Sequence, residues 1–130
     1  MPFLSTLTTY STSAFMTLDP QTRRNLELFI GGRWGEERLS LFSTLDFTKT
    51  SMGARLLRRW ISQPLLDVGE LEQRLDAVQL FQQNMIRRVK TRKILSRVVD
   101  LERLLNRLGI GKVIPRELVG LKSSLEASSQ

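Results

Sequence analysis

The most concentrated set of functional side chains in this sequence is a run of basic residues. Residues 77–99 contain no acidic side chain and six basic ones: Arg87, Arg88, Lys90, Arg92, Lys93 and Arg97. Arginine and lysine side chains that neutralise phosphates give an affinity for nucleic acid that does not depend on base sequence. No aromatic residue lies among the six, so the pattern does not indicate base stacking. The run predicts a contact with nucleic acid or a partner, or else a solvated helix face.

The composition excludes most catalytic chemistry. The chain has no cysteine and no histidine, which rules out disulfides, thiolate nucleophiles, imidazole metal ligands and histidine-based triads. The thirteen acidic residues are dispersed and show no calcium-loop spacing. Asp67, Glu70, Glu72 and Asp76 cluster at a helix start, where they complement the helix dipole. We therefore expect no catalytic, metal-binding or cofactor-binding residue in this chain.

Two glycine pairs also lack a nucleotide-binding pattern. Gly31-Gly32 and Gly109-x-Gly111 have neither the phosphate-loop spacing nor the strand–glycine–helix order of a dinucleotide site. Both pairs are typical of helix C-termini. The neighbouring Arg23 and Arg24 indicate a salt bridge to a carboxylate of another domain more than a phosphate contact.

Size and charge indicate one domain or a piece of a larger one. The chain has 130 residues, 41% of them apolar, and a net charge of +7. Such a charge favours attraction to nucleic acid as an electrostatic tendency. No stretch approaches the ~20 apolar residues of a membrane span, and the first residues lack the pattern of a secretory signal. We expect a cytoplasmic protein that does not contact a membrane.

The elements that position the basic run are predicted to be helices. Residues 46–66 contain the best-specified one: Thr50 or Ser51 can cap it, Leu56 and Trp60 recur on one apolar face, and Pro64 ends it. This pattern predicts a buried helix with arginines at its edge.

Capping signals place the other helices. A first helix starts at Asp19-Pro20 and ends at Gly31-Gly32, and others start at Asp67, Asp100 and Pro115. The helix from Asp67 is expected to run to about Gln83, with a break at Asn84 and further helix over 86–99. Residues 15–18 alternate in size and are compatible with one short strand. The fold class is therefore all-α, an irregular multi-helix arrangement with at most one short strand near the N-terminus.

Several stretches resemble a known family. In chain order they are TRRNLEL (22–28), STLD (43–46), TSMGARLLRRW (50–60), QPL (63–65), DLER (100–103) and PREL (115–118). Their order and spacing resemble the opening of the core (lever) domain of MutS-type DNA mismatch repair proteins, over roughly residues 15–125.

This resemblance implies an organisation and a role. Residues 1–18 would be the end of the connector or a flexible lead, and residues 19–130 the N-terminal part of the helical core domain, cut inside its last helix. The mismatch-reading domain, the DNA clamp and the ATPase with its ATP and Mg²⁺ would lie elsewhere in a homodimeric parent. The parent would be a DNA-dependent ATPase that binds mismatched duplexes. This segment would link DNA binding to the ATPase without catalysing a reaction.

The sequence departs from the family pattern in two places. Val113-Ile114 precedes Pro115 where a polar cap is expected, and residues 84–92 are more basic than expected. The second departure leaves an alternative open: a free-standing basic helical module that binds nucleic acid non-specifically.

Overall fold

The computed structural model describes residues 14–128, and its regular elements are helices. Its helices are α1 (Pro20–Asn25), α2 (Leu41–Leu45), α3 (Ser51–Ser62), α4 (Val68–Gln83), α5 (Met85–Leu95), α6 (Leu101–Gly109) and α7 (Pro115–Ser128), with a 3-10 turn at Glu37–Leu39. Among the described residues there are isolated β-bridges but no strand. The predicted all-α fold class is confirmed. None of the described helices has the length and apolar character needed to cross a membrane.

Side-chain caps begin the helices where the sequence predicts them. Asp19, Thr50, Asp67 and Asp100 each accept a hydrogen bond from the backbone N–H three residues later, at 2.8–3.2 Å. Asn84 separates α4 from α5, and its Oδ1 accepts from the N–H of Arg87 at 2.9 Å. The predicted break at Asn84 is confirmed because one residue both ends α4 and caps α5.

The predicted length of the first helix is wrong. It ends at Asn25 in a Schellman motif, in which the N–H of Leu28 donates to the carbonyl of Arg23 at 3.2 Å. Glu27 takes the left-handed position of that motif, with φ of 48°. The chain then runs on so that the carbonyl of Leu28 accepts from the N–H of Phe42 at 3.0 Å. This pairing with the start of α2 replaces further helical hydrogen bonds.

The two glycine pairs have different roles. Gly31 does not end a helix; it exchanges two backbone hydrogen bonds with Glu36 across a tight turn, at 3.0 and 2.8 Å. The predicted C-cap at Gly31-Gly32 is therefore wrong. Gly111 does follow the end of α6, with φ of 68° and its N–H donating to the carbonyl of Leu108 at 3.0 Å. The predicted helix end at Gly109-x-Gly111 is confirmed.

The N-terminal segment is paired with the chain directly after α3. Phe15 forms an antiparallel bridge with Leu65, and the N–H of Met16 donates to the carbonyl of Pro64 at 2.8 Å. Residues 15–18 therefore make a single bridge in place of a strand. Residues 1–13 of the predicted connector end or lead lie outside the described residues.

Few apolar side chains are buried. Within residues 14–128 the buried ones are Leu28, Leu65, Leu104 and Ala127. Helix α3 has no buried residue, and both Leu56 and Trp60 on its apolar face are exposed. The prediction that α3 is buried is wrong for this chain, because the described elements cover that face only in part.

Candidate nucleic-acid and partner interface

Helix α5 carries most of the predicted basic site. Arg87, Lys90, Arg92 and Lys93 lie on the helix, and Arg97 lies in the turn that follows it. All five are exposed. None of them forms an ion pair within the part of the chain that the structure describes. The five side chains therefore carry positive charge that this segment does not neutralise.

Arg88, the sixth predicted residue, has a contact of its own. Its side chain is half-buried, and Nη1 donates to the carbonyls of Phe81 and Gln82 at 2.9 and 3.0 Å. These carbonyls belong to the last turn of α4, where a cation also interacts favourably with the helix dipole. Arg88 therefore connects α5 to the end of α4. Sequence reasoning placed it with the other five because it could not show this contact across the break.

The basic residues share α5 with exposed apolar side chains. Met85, Ile86 and Val89 are 67%, 73% and 53% exposed. Residues four apart lie on one side of a helix with about 3.6 residues per turn, so Lys90 follows Ile86 and Lys93 follows Val89. The resulting surface combines uncovered apolar groups with uncompensated charge.

A cluster of ion pairs connects two of the stretches quoted above. Arg55 on α3 donates Nη1 and Nη2 to the two carboxylate oxygens of Asp100, at 2.7 and 2.8 Å. Its Nε and Nη2 also donate to Glu102 Oε2, at 3.1 and 2.6 Å. The hydrogen bonds from Arg55 lower the pKa of the Asp100 carboxyl from 3.8 to about 2. Hydrogen bonding to Asp100, and then to Glu102, raises the pKa of Arg55 above its ordinary value.

A second cluster ties α6 to α7. Glu117 forms an ion pair with Arg107 and accepts the backbone N–H of Ile114 at 3.1 Å. This carboxylate satisfies a donor at the start of α7, where the sequence lacks the expected polar cap. Further along, Ser124 Oγ accepts the N–H of Val99 at 3.0 Å and donates to the carbonyl of Gly120 at 2.8 Å.

Arginines also pack against aromatic rings. The guanidinium of Arg58 lies 4.6 Å from the ring centroid of Phe29 and 5.1 Å from that of Phe42. Arg74 on α4 lies 3.9 Å from the centroid of a Trp60 ring on α3. Such cation–π contacts hold elements together without an acidic partner. Sequence reasoning missed them because the rings and the cations are far apart in the chain.

Arg23 and Arg24 have no carboxylate partner among residues 14–128. Arg23 Nη2 lies 3.5 Å from the carbonyl of Ser62 at the end of α3. The salt bridge to another domain stays a prediction. No three acidic side chains in the described residues converge so that they could hold a metal ion.

The described residues thus form an all-α segment braced by arginine contacts, with much of its apolar surface uncovered. The family model of MutS domain III matches residues 21–130, and the chain belongs to that family. It is 48% identical to the DNA mismatch repair protein MutS of Syntrophomonas wolfei, over 94% of this chain and 14% of that protein. It is 48% identical to MutS of Roseiflexus sp., over 95% of this chain and 12% of that protein. It is 46% identical to MutS of Methanosarcina mazei, over 95% of this chain and 14% of that protein.

The chain therefore spans about one seventh of the length of these relatives. The predicted MutS resemblance is confirmed. The alternative of a free-standing basic helical module is not favoured.

Proposed function

We propose that this chain is a helical core segment of a MutS-like DNA mismatch repair protein, which links DNA binding to the ATPase and catalyses no reaction itself. The observation that carries the proposal is the Arg55 cluster within a MutS domain III sequence. It joins α3 to the start of α6, 45 residues further along the chain. A relay of conformational change requires packed elements with defined relative positions, and a multi-point arginine pair supplies such a restraint.

The uncovered apolar surface supports a role inside a larger assembly. Large apolar side chains are exposed on α3, α4 and α5, and extended apolar patches on a protein surface mark contacts with other protein. The direct partners in this proposal are other domains of the same protein, and mismatched DNA is bound through those domains. The parent protein is homodimeric and cytoplasmic. ATP and Mg²⁺ would bind outside this chain. The five exposed basic residues around α5 would belong to the same contact surface.

The proposal is tested first by the DNA affinity of the chain itself. Fluorescence anisotropy would compare a matched duplex with a mismatched one at about 50 and about 200 mM salt, a range over which phosphate contacts lose much of their affinity. We expect weak binding that falls with salt and does not distinguish the mismatch. Tight or mismatch-selective binding, or ATP turnover by this chain alone, would contradict the proposal.

The linking role is tested in a full-length protein that carries this segment. Arg55→Gln should reduce the change in DNA affinity that ATP produces, while the affinity for ATP stays unchanged. Arg116→Gln, an exposed position on α7, is the matched control and should leave that change intact. If Arg55→Gln leaves the ATP effect unaltered, this cluster does not transmit it.

A further inference from the structure

We infer that one face of α5 is a docking surface for an acidic amphipathic helix. This α5 face consists of Met85, Ile86, Val89, Lys90 and Lys93. The inference rests on the proposed function, because the occupant belongs to the assembly in which this segment works. Beyond the proposed function, the inference specifies the charge and the apolar character of the helix that covers α5.

The α5 face has a continuous apolar strip. Met85 and Val89 are four residues apart, and Ile86 adjoins both on the helix surface. All three side chains are more than half exposed, so no described part of the chain covers them. Apolar side chains on one side of a helix are the anchors that helix–helix and helix–groove contacts use.

The charges beside the strip select the partner. Lys90 and Lys93 are exposed one turn after Ile86 and Val89, and no described carboxylate pairs with either lysine. Residues 77–99 contain no acidic residue that could approach them from α5 itself. Electrostatic complementarity across an interface selects a partner of opposite charge and excludes one of like charge. The partner is therefore acidic beside its own apolar strip.

The apolar strip favours a protein partner over DNA. Phosphates would neutralise Lys90 and Lys93 but would leave Met85, Ile86 and Val89 in water, because protein–DNA interfaces are polar and strongly charged. No aromatic side chain is available on the α5 face for base stacking. A helix with leucines at spacings of three and four and glutamates beside them would cover the strip and pair with both lysines.

The test uses the 130-residue chain and a synthetic 18-residue helical peptide with leucines on one face and glutamates flanking them. Two peptides of the same design carry glutamine or lysine in place of glutamate. In fluorescence anisotropy titrations we expect the glutamate peptide to bind at least about tenfold more tightly than the glutamine peptide, the ratio that follows from ~1.4 kcal/mol. The lysine peptide should bind most weakly.

Charge reversal on the α5 face should invert this order. The double variant Lys90→Glu, Lys93→Glu should bind the lysine peptide most tightly and should no longer bind the glutamate peptide. Lys49→Glu with Lys112→Glu makes the same change in net charge at two other exposed positions and should keep the original order. Circular dichroism checks that each variant keeps its helix content. If the charge-reversed variant loses helix content, the double variant Lys90→Gln, Lys93→Gln is used in its place.

Two results would overturn the inference. Equal affinity for the glutamate and glutamine peptides would show that charge does not select the partner. Duplex binding that is lost with Lys90→Glu and Lys93→Glu but kept with Ile86→Ser would assign the face to DNA phosphates.

Self-association through α4 would support the inference, because the acidic helix would then come from a second copy of the chain. The exposed Leu75 and Val78 of α4 lie near Glu72 and Asp76, so a second copy of the chain offers a similar strip. Sedimentation would then show dimers of the unmodified chain, and the double variant Glu72→Lys, Asp76→Lys would be monomeric. Mixing this variant with the double variant Lys90→Glu, Lys93→Glu should restore dimers. Both results together would assign the α5 face to a second copy. None of these results depends on mismatch-selective DNA binding, so the docking inference and the proposed function fail separately.

Discussion

Arg55 and Asp100 form a two-point ion pair in which the guanidinium and the carboxylate lie side by side, at 2.7 and 2.8 Å. Asp100 is also the N-cap of α6, since its Oδ1 accepts the N–H of Arg103 at 3.2 Å. The contact therefore joins α3 to the first turn of α6 at the residue that starts the helix. The Arg55 side chain is 48% exposed, and exposed ion pairs add little net stability. Its main effect is to fix the relative orientation of the two helices.

Replacing either partner should show that the two residues act together. Asp100→Asn keeps a side chain that can cap α6 but removes the charge, and Arg55→Gln removes the paired donors. Each change should lower the thermal midpoint slightly, and the double variant should cost less than the sum because the second change finds the pair already broken. Arg55→Lys should behave like Arg55→Gln, since a lysine cannot make the side-by-side contact. Strictly additive losses in thermal unfolding would show that the two residues are not coupled.

The lowered pKa of Asp100 gives the pair a defined pH dependence. Its carboxyl titrates at about 2 in the folded chain and at 3.8 ordinarily. The stabilisation is therefore complete above pH 3.8 and is lost as the pH falls from 3.8 through about 2. An NMR titration of the Asp100 carboxyl should show this pKa, and Arg55→Gln should raise it toward 3.8. The difference in thermal midpoint between the wild type and Asp100→Asn should shrink over the same interval.

Helix starts were predictable from the sequence because capping is local. Thr50, Asp67 and Asp100 each bond to an N–H three residues away, so residue type and spacing contain the necessary information. The end of α1 was not predictable, because a glutamate occupies the left-handed position that glycine usually takes. The backbone there is held by hydrogen bonds to the start of α2, at residues more than ten positions away.

In the candidate site, too, some features follow from local sequence and others depend on contacts between distant residues. The exposed charge of α5 follows from its composition, whereas the separate role of Arg88 depends on how the chain bends at Asn84. The contacts of Arg58 with Phe29 and Phe42 depend on how α2 and α3 pack. Local chemistry was visible in the sequence, and contacts between elements were not.

Gly31 should tolerate no side chain. A Cβ at this position would lie 2.1 Å from the carbonyl oxygen of Leu39, so Gly31→Ala must shift the backbone of the Gly31–Glu36 turn. We expect a loss of roughly 1–3 kcal/mol in the free energy of unfolding. Gly109→Ala is the control, since nothing lies within 4 Å of its added Cβ, and it should be neutral or gain up to about 1 kcal/mol. Similar denaturant midpoints for the two variants would rule out the close contact at Gly31.

Arg88 and Arg87 should respond differently to the same substitution. Arg88→Gln removes a cation that donates to two carbonyls at the end of α4, and should cost about 0.5–1 kcal/mol. Arg87 is exposed, so Arg87→Gln should change stability by less than about 0.5 kcal/mol. Urea unfolding followed by circular dichroism measures both. Equal losses would mean that general charge, and not the contact with Phe81 and Gln82, determines the effect.

Ser124 provides the sharpest test of the packing between α7 and the segment before α6. Its side chain is fully buried, and its hydroxyl both accepts from the N–H of Val99 and donates to the carbonyl of Gly120. Ser124→Ala leaves the N–H of Val99 without its partner, which should cost roughly 1–3 kcal/mol in the free energy of unfolding. The adjacent Ser123 is exposed, so Ser123→Ala makes the same chemical change without that loss and should be neutral within about 0.5 kcal/mol.

Amide hydrogen exchange distinguishes the cause of the Ser124 effect. If the lost hydrogen bond is responsible, the N–H of Val99 should exchange faster in Ser124→Ala, by more than global destabilisation alone accounts for. Amide protons in α4 should change only as far as overall stability changes, because the hydrogen bonds of Ser124 go to Val99 and Gly120. Unchanged protection at Val99 would show that its N–H finds another partner in the variant, and that the hydroxyl of Ser124 does not tie α7 to this segment.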